Sequence, residues 1–460
     1  MSTRAPWIIV GGGASGLASA FFLKQLGIDS IIVERKAIGG RMGTVRLGER
    51  TLDCGGKNIG RQYTLFRRFA ASHGAHPLEP FGLNSSQVVD GQVLTFDGNA
   101  RWRTMARLLS GASPSDVVRF ARMLWRVKRD DASGYLGTPY SRALAERCDS
   151  SPVSHYFSQT FCERILRPMT VRMNGAEPDE VYMGTLMSNV RMLVDTYDQF
   201  TNGLAPLLDA CLAAYDVRLN TTVQELLVEN GRVIGVRARN ALGVTTDLRG
   251  AGVILATPAP TAAALTAPVR PRLAEQLRSV TYHPVTLILA EYDRPIFSPN
   301  VRAFVFGRRE VVSNAGAYGV NDLNLVRYAF SGRMARQISD AMNVDALLGR
   351  AEATLSRCVA VDRRWRQRVV AKHFNPGLCA YRPYHAAFIE QLTAEAQKTA
   401  GLYLTGDYVQ GASIEGCFRS ALTCTQQLAR RERLKAPSSA QLRPAIDNAT
   451  LLPRDQRTVA

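Results

Sequence analysis

The chain has 460 residues, 57 lysines and arginines against 39 aspartates and glutamates, a formal net charge of +18, and 46% hydrophobic residues. That composition belongs to a folded protein with a substantial core, and it excludes both a disordered chain and a small disulfide-stapled scaffold. The eight cysteines, at positions 54, 148, 162, 211, 358, 379, 417 and 424, include no CxxC pair and no Cys/His cluster at zinc-ligand spacing, so they read as reduced thiols and no metal is expected.

The first residues, MSTRAPW, run straight into a strand without an apolar leader, and no stretch reaches 18 uninterrupted apolar residues. A cytoplasmic location with no spanning helix is the expectation. From Trp7 to Glu34 the pattern is strand, glycine turn, helix, strand: WIIVGG, then ASGLASAFFLKQLG closed by Gly27, then SIIVE. Long helical stretches follow from Arg101 to Asp195. In SPSDVVRFARMLWRVKRDDA, Ser113 precedes Pro114 and Asp116 as a helix start, and Val117, Phe120, Met123, Leu124 and Val127 recur at helical spacing. This stripe reads first as core.

Sheet character returns from Tyr215 to Pro260, with Asn230-Gly231 between alternating runs as a hairpin signal. TYHPVTLILAEYDRP and VRAFVFG read as strands of a second sheet, and DALLGRAEATLSRCV as a helix. GLYLTGDYVQGASIEGCFRSALTCTQQLARR is again strand, glycine-rich turn and helix, and the Pro/Ser-rich end reads as a tail. The divisions expected are 1–90, 91–200, 201–262, 263–370, 371–430 and a flexible tail at 431–460. The arginines are scattered along the chain and no nucleic-acid motif occurs, so no nucleic-acid partner is expected. Peripheral contact of the basic helical segment with a membrane or acidic surface stays open, as does the oligomeric state.

Gly11, Gly13 and Gly16 fit G-x-G-x-x-G. The first glycine permits the tight turn, the second lets the backbone approach a pyrophosphate, and the third lets the helix pack on the sheet; Ala14 and Ser15 complete a cradle at the helix N-terminus. Glu34 ends the second strand 18 residues after Gly16, placed to accept ribose hydroxyls, while Arg35 and Lys36 keep a 2′-phosphorylated ribose open.

IGGRMGT (38–44), LDCGG (52–56), NTTVQELLVENGRVIGV, VILATPAP and LYLTGDYVQGASIEGCFRSA together resemble the flavin amine oxidase superfamily, which includes monoamine oxidases, protoporphyrinogen oxidases, phytoene desaturases and hydroxysqualene-type dehydrogenases. The resemblance implies a Rossmann-like FAD-binding α/β domain interleaved with an α+β substrate domain that contains a sheet and the helical insertion. It implies that Gly39, Gly40 and Arg41 run beside the pyrophosphate and ribitol, that Gly56 lies near the flavin ring, that the backbone near Val223 holds the adenine, and that Gly406 and Asp407 face the ribitol. Ser413 reads independently as an N-cap before a helix from Ile414 to Arg430, whose positive end would face the ring edge that becomes negative on reduction.

Amine oxidases of the family carry a lysine in the strand before an acidic-Pro turn; here HPVTLILAEYDRP offers Thr286 and Leu287. That departure favours removal of two hydrogens, with hydride to flavin N5, from a CH–CH unit of a small, mostly apolar substrate. Amine or amino-acid oxidation at CH–NH is the alternative in the same fold, and a non-redox flavin-dependent isomerase or cyclase, or a membrane-docking flavoprotein, is the alternative from another class. Catalytic candidates are Lys57, read as a base or as a loop lysine, His283, read as an acid–base group or as structural, and Tyr384 and Tyr408, read as a substrate sandwich or as core. Cys379 lies near where some monoamine oxidases attach FAD, but an SGGCY-like context is absent, so non-covalent FAD is expected.

Overall fold

The computed structural model describes residues 5–434 apart from 83, 90, 98–105, 107, 108 and 110. Its first sheet has five parallel strands in the spatial order Asp216–Arg218, Ser30–Val33, Trp7–Val10, Gly252–Leu255 and Leu402–Leu404. The central strands WIIV and GVIL are buried along their whole length, as a parallel sheet covered on both faces requires. Period-two alternation then divides their side chains between two cores. Ile9 and Ile254 join Leu17, Phe21 and Phe22 of the Ala14–Gln25 helix and Phe418 of the Ile414–Arg431 helix. Ile8, Val10, Val253 and Leu255 face Ala259, Leu273, Leu277 and Leu392 on the other side.

An antiparallel sheet and a mixed sheet accompany this layer. One pairs Thr221–Glu229, Arg232–Asn240 and Thr245–Arg249, turning at Asn230 and Gly231, both at positive φ as the hairpin signal demands. The other has seven strands in the order Arg366–Ala380, Thr281–Tyr292, Leu325–Phe330, Asn314–Ala317, Ala303–Val305, Asn84–Val89 and Gln92–Asp97. The helix Val344–Leu355 packs against it through Leu347, Leu348, Ala351 and Leu355.

Two expected divisions cut across this second sheet. The Asn84–Val89 strand, expected in the 1–90 segment, pairs with Gln92–Asp97 and meets Phe304 at Ser86. The Arg366–Ala380 strand runs through the expected boundary between 370 and 371 while pairing with Thr281–Tyr292. Hydrophobic alternation marks a strand but carries no information on which sheet it joins.

The helices Pro114–Arg129, Pro139–Cys148, Arg167–Asn174 and Met183–Val194 build a further core of their own. Ser113 caps the first through Ser115 N–H, and Phe120, Met123 and Val127 are buried in the helical core while Val118 and Trp125 face outward. No helix among the described residues is long and apolar enough to cross a membrane. The last helix ends at Arg431, and residues 435–460 of the expected tail lie outside the described residues.

A Cβ on Gly16 would overlap the Gly11 carbonyl oxygen, whereas one on Gly307 meets nothing within 4 Å. Gly16→Ala is therefore expected to lower thermal stability by about 2 kcal/mol or more, and Gly307→Ala to stay within about 0.5 kcal/mol of the parent. Equal melting curves for both variants would contradict this packing.

Candidate functional site

The glycine turn is built by contact distances that only glycine allows. Gly11, at φ +103°, would bring a Cβ to 2.9 Å from the Ala256 carbonyl oxygen. Gly13 caps the Ala14–Gln25 helix without a side chain, and it pairs with Gly39, whose N–H donates to Gly12 O at 2.8 Å. A Cβ on Gly40, at φ +54°, would lie 3.2 Å from Gly13 Cα. Two glycine segments thus close on each other at the start of a helix, beside its unpaired N–H groups. Ala14 and Ser15 form the first turn there, Ser15 almost completely buried.

Glu34 accepts Gly12 N–H at 2.7 Å and Lys36 N–H at 2.9 Å, which fixes its carboxylate at the mouth of the turn; Arg35 is exposed. The strand carrying Val223 starts alongside, since Thr221 N–H donates to Glu34 O at 3.0 Å and a bulge separates Val223 from Glu225.

Asp407 is the polar centre. Arg41 Nη1 donates to Asp407 Oδ2 at 2.6 Å and to Gly377 O at 2.9 Å, and Tyr282 donates its hydroxyl to Asp407 Oδ1 at 2.7 Å. Tyr381 donates to the Asp407 carbonyl at 3.1 Å. Burial opposes the Arg41 charge, but the neighbouring Asp407 outweighs it and raises the Arg41 pKa. Burial, reinforced by Asp407, raises the Tyr282 pKa well above the ordinary phenol value, so Tyr282 is a permanent donor.

Gly55 lies so close to the Arg41 carbonyl that a side chain would overlap it, and Gly56 N–H donates to the same oxygen at 3.0 Å. A Cβ on Gly56 would sit 3.8 Å from Ile414 Cδ1, so this turn faces the first residue of the Ile414–Arg431 helix. Ser413 accepts Gly416 N–H at 3.0 Å as its N-cap. Met173, Met192, Tyr381 and Ala412, with the polar Asn174, Ser188, Arg191, Gln410 and Ser413, line a cavity at that helix tip.

The catalytic candidates do not converge. Lys57 lies in a loop but is not solvated: it is 4% exposed, donates to Gln199 Oε1 at 2.7 Å and to the Tyr318 carbonyl, and lies against the Phe81 and Tyr318 rings. Burial, with Arg327 nearby, pushes its pKa down to about 7. His283 neighbours Tyr282 on the strand and so points to the opposite face, against Gly175; burial and then Arg336 lower it to about 4.

Tyr384 and Tyr408 form no sandwich. Tyr384 stands at φ +55° and 42% exposed, its N–H held by Asp149, while Tyr408 is wholly buried in the core beneath the first sheet. The difference follows from the left-handed residue, which turns Tyr384 outward at the start of the His385–Ala396 helix. Cys379 is buried, and desolvation followed by the charge of Asp407 raises its pKa well above the ordinary thiol value, which suppresses the thiolate. Gly406 is buried directly against the Tyr408 ring.

Three contributors escaped the sequence reading. Tyr282 is one. Glu415 is another: wholly buried, it accepts Leu65 N–H at 3.2 Å and Phe66 N–H at 3.1 Å, capping the Thr64–Ser72 helix from the far end of the chain. Gln199, bridging Lys57 and Glu79, is the third. The only available signal was the Glu within GASIEG, whose placement after a strand and turn marks a special position without naming its partner.

A model of the family described as flavin containing amine oxidoreductase matches residues 14–429 of this chain. The coproporphyrinogen III oxidase of Mycobacterium leprae is 24% identical over 461 residues, covering 91% of this chain and 97% of that protein. The hydroxyneurosporene desaturase of Rubrivivax gelatinosus is 26% identical over 271 residues, 52% of this chain and 51% of that protein. In fold, the chain matches the cyclohexylamine oxidase of Brevibacterium oxydans with a TM-score of 0.70 at 17% identity, covering 94% and 100% of the two chains.

In the folded protein Lys57 loses its proton near pH 7, whereas an unfolded lysine holds it to about 10.4. Between those values the unfolded state binds more protons, so stability rises with pH. The unfolding free energy of the parent relative to Lys57→Met is expected to be flat below about pH 7 and to grow from there toward about pH 10. A difference independent of pH across that window would refute the burial of this amine.

Proposed function

We propose, for a chain that belongs to the flavin-containing amine oxidoreductase family, that it holds FAD without a covalent bond and removes two hydrogens from a CH–CH unit of a small, mostly apolar molecule. A flavin-dependent oxidoreductase acting on a small molecule follows from the family; the carbon–carbon bond is our own reading. The residues present fit FAD. Side chains at Gly11, Gly40 or Gly55 would strike the surrounding backbone, so the cradle is kept bare for close approach, and Glu34 closes its ribose end. FAD, when bound, supplies a two-electron acceptor.

The chain's own groups do the rest. Arg41 sets a guanidinium, a third of its side-chain surface open, beside the glycine segments, where it offsets phosphate charge, and Asp407 with Tyr282 holds it in place. The Ser413-capped helix presents its positive end at the cavity, favouring negative charge there. Met173, Met192 and Tyr381 exclude water and orient an apolar substrate. A suppressed thiolate at Cys379 supports non-covalent binding.

The observation that carries the choice of bond is the Thr281–Tyr292 strand. Where the resemblance puts the amine-oxidase lysine, Thr286 is buried and bonded to His373 Nδ1 at 2.8 Å, and Leu287 beside it is buried as well. No amine is delivered from either position. The relatives named as a porphyrinogen oxidase and a desaturase point the same way.

Anaerobic mixing of the yellow holoprotein with saturated carbon substrates and with amines is expected to bleach the flavin band only with members of the first set; bleaching by amines alone would overturn the assignment. Asp407→Asn removes the counter-charge of Arg41 and is expected to weaken FAD retention by about tenfold or more, read as the flavin-to-protein ratio after gel filtration.

A further inference from the structure

Many surface arginines of this protein have a carboxylate: Arg237 has Asp247, Arg249 has Glu229, Arg363 has Asp345 and Arg364 has Asp362. One face of the Pro114–Arg129 helix differs. Its inner side, Phe120, Met123 and Val127, is buried in the helical core and fixes the helix in place. Its outer side carries Val118, Arg122, Trp125 and Arg129, spaced by four, three and four residues, so they stand in one stripe, with Ala121 and Lys128 beside it. All six are exposed.

Two properties set this stripe apart. The first is apolar surface left in water: Trp125 is 58% exposed and Val118 49%, and Trp125 is the one exposed tryptophan among the described residues. The second is charge without counter-charge. Arg122 and Lys128 have no hydrogen bond, ion pair or ring contact among the described residues, and Arg129 lies only over the Trp125 ring, at 5.2 Å. The acid of this helix, Asp116, is buried and accepts Ser158 N–H at 3.0 Å, and Asp130 at its end pairs with Arg126 at 3.2 Å. No carboxylate is left for the stripe.

A partner that rewards both properties at once is negative at its boundary and apolar just beneath. Indole rings settle at the headgroup level of a bilayer, and Lys and Arg side chains reach from there to anionic headgroups. Val118 and Ala121 gain from apolar contact, whereas a nucleic acid offers them nothing to stack on or pair with. We propose that this face docks the protein on an anionic lipid surface, with the helix axis in the plane of the membrane, Trp125 and Val118 at the interface, and Arg122, Lys128 and Arg129 on the headgroups. The net charge of +18 draws the whole protein toward such a surface, and the stripe decides which side lands. Docking is independent of which substrate bond is oxidised.

The purified holoprotein is sedimented with vesicles of equal parts phosphatidylcholine and phosphatidylglycerol, and with vesicles of phosphatidylcholine alone. Partition onto the anionic vesicles is expected to be stronger by about tenfold or more and to fall steeply between about 0.1 M and about 0.5 M salt. Arg122→Glu combined with Lys128→Glu breaks no contact in the protein and is expected to weaken that partition by about tenfold or more, and Trp125→Ser by about fivefold, with flavin content and melting temperature unchanged. Arg46→Glu combined with Arg309→Glu makes the same change in net charge at exposed positions elsewhere and is expected to weaken it by less than about threefold. Equal partition onto both kinds of vesicle, no partition onto either, or equal losses from the two charge reversals would each overturn the docking face. Tighter binding of a mixed-sequence RNA oligonucleotide than of the anionic vesicles would overturn the choice of lipid.

Discussion

One buried carboxylate holds three distant pieces of this chain in register. Asp407, 3% exposed, takes Arg41 from the amino-terminal glycine segment and Tyr282 from the second sheet, while its own carbonyl takes Tyr381. A charge so placed is tolerable only with all its partners present, because an isolated ion in a low-dielectric interior is costly. The geometry of the cradle, the tilt of the second sheet over it and the path of the chain into the last helix are therefore set together. Glu415 repeats the arrangement a turn later by capping the Thr64–Ser72 helix.

What the sequence disclosed follows from what is local. The turn at Gly11 to Gly16, the carboxylate at Glu34, the hairpin at Asn230-Gly231 and the cap at Ser413 each depend on a few neighbouring residues, and each occurs where periodicity and turn chemistry put it. The flavoprotein fold was legible for the same reason: its motifs lie at strand ends.

The side-chain contacts between distant segments were not legible. Tyr282 and His283 are adjacent, and alternation says that one faces in and one faces out without saying which; the structure turns Tyr282 toward Asp407. For Lys57 the sequence leaves a base and a solvated loop lysine both open, and only the packing of Phe81, Gln199 and Tyr318 around it makes it an interior amine. The charge total hid a similar distinction. Many arginines form ion pairs at the surface, while Arg167 and Arg191 are paired inside, and a sum over the chain gives both kinds the same weight.

The order of strands in the first sheet has a consequence for how the protein is made. Trp7–Val10 lies at its middle and Leu402–Leu404 at its edge, and the Ile414–Arg431 helix closes the cavity. During synthesis the glycine turn leaves the ribosome hundreds of residues before the segment that completes it, so the nascent chain holds an open nucleotide mouth while everything between is translated. On the function proposed above, cofactor capture waits for the last segment of the chain, since the glycine turn and the Ser413-capped helix come from opposite ends of the sequence.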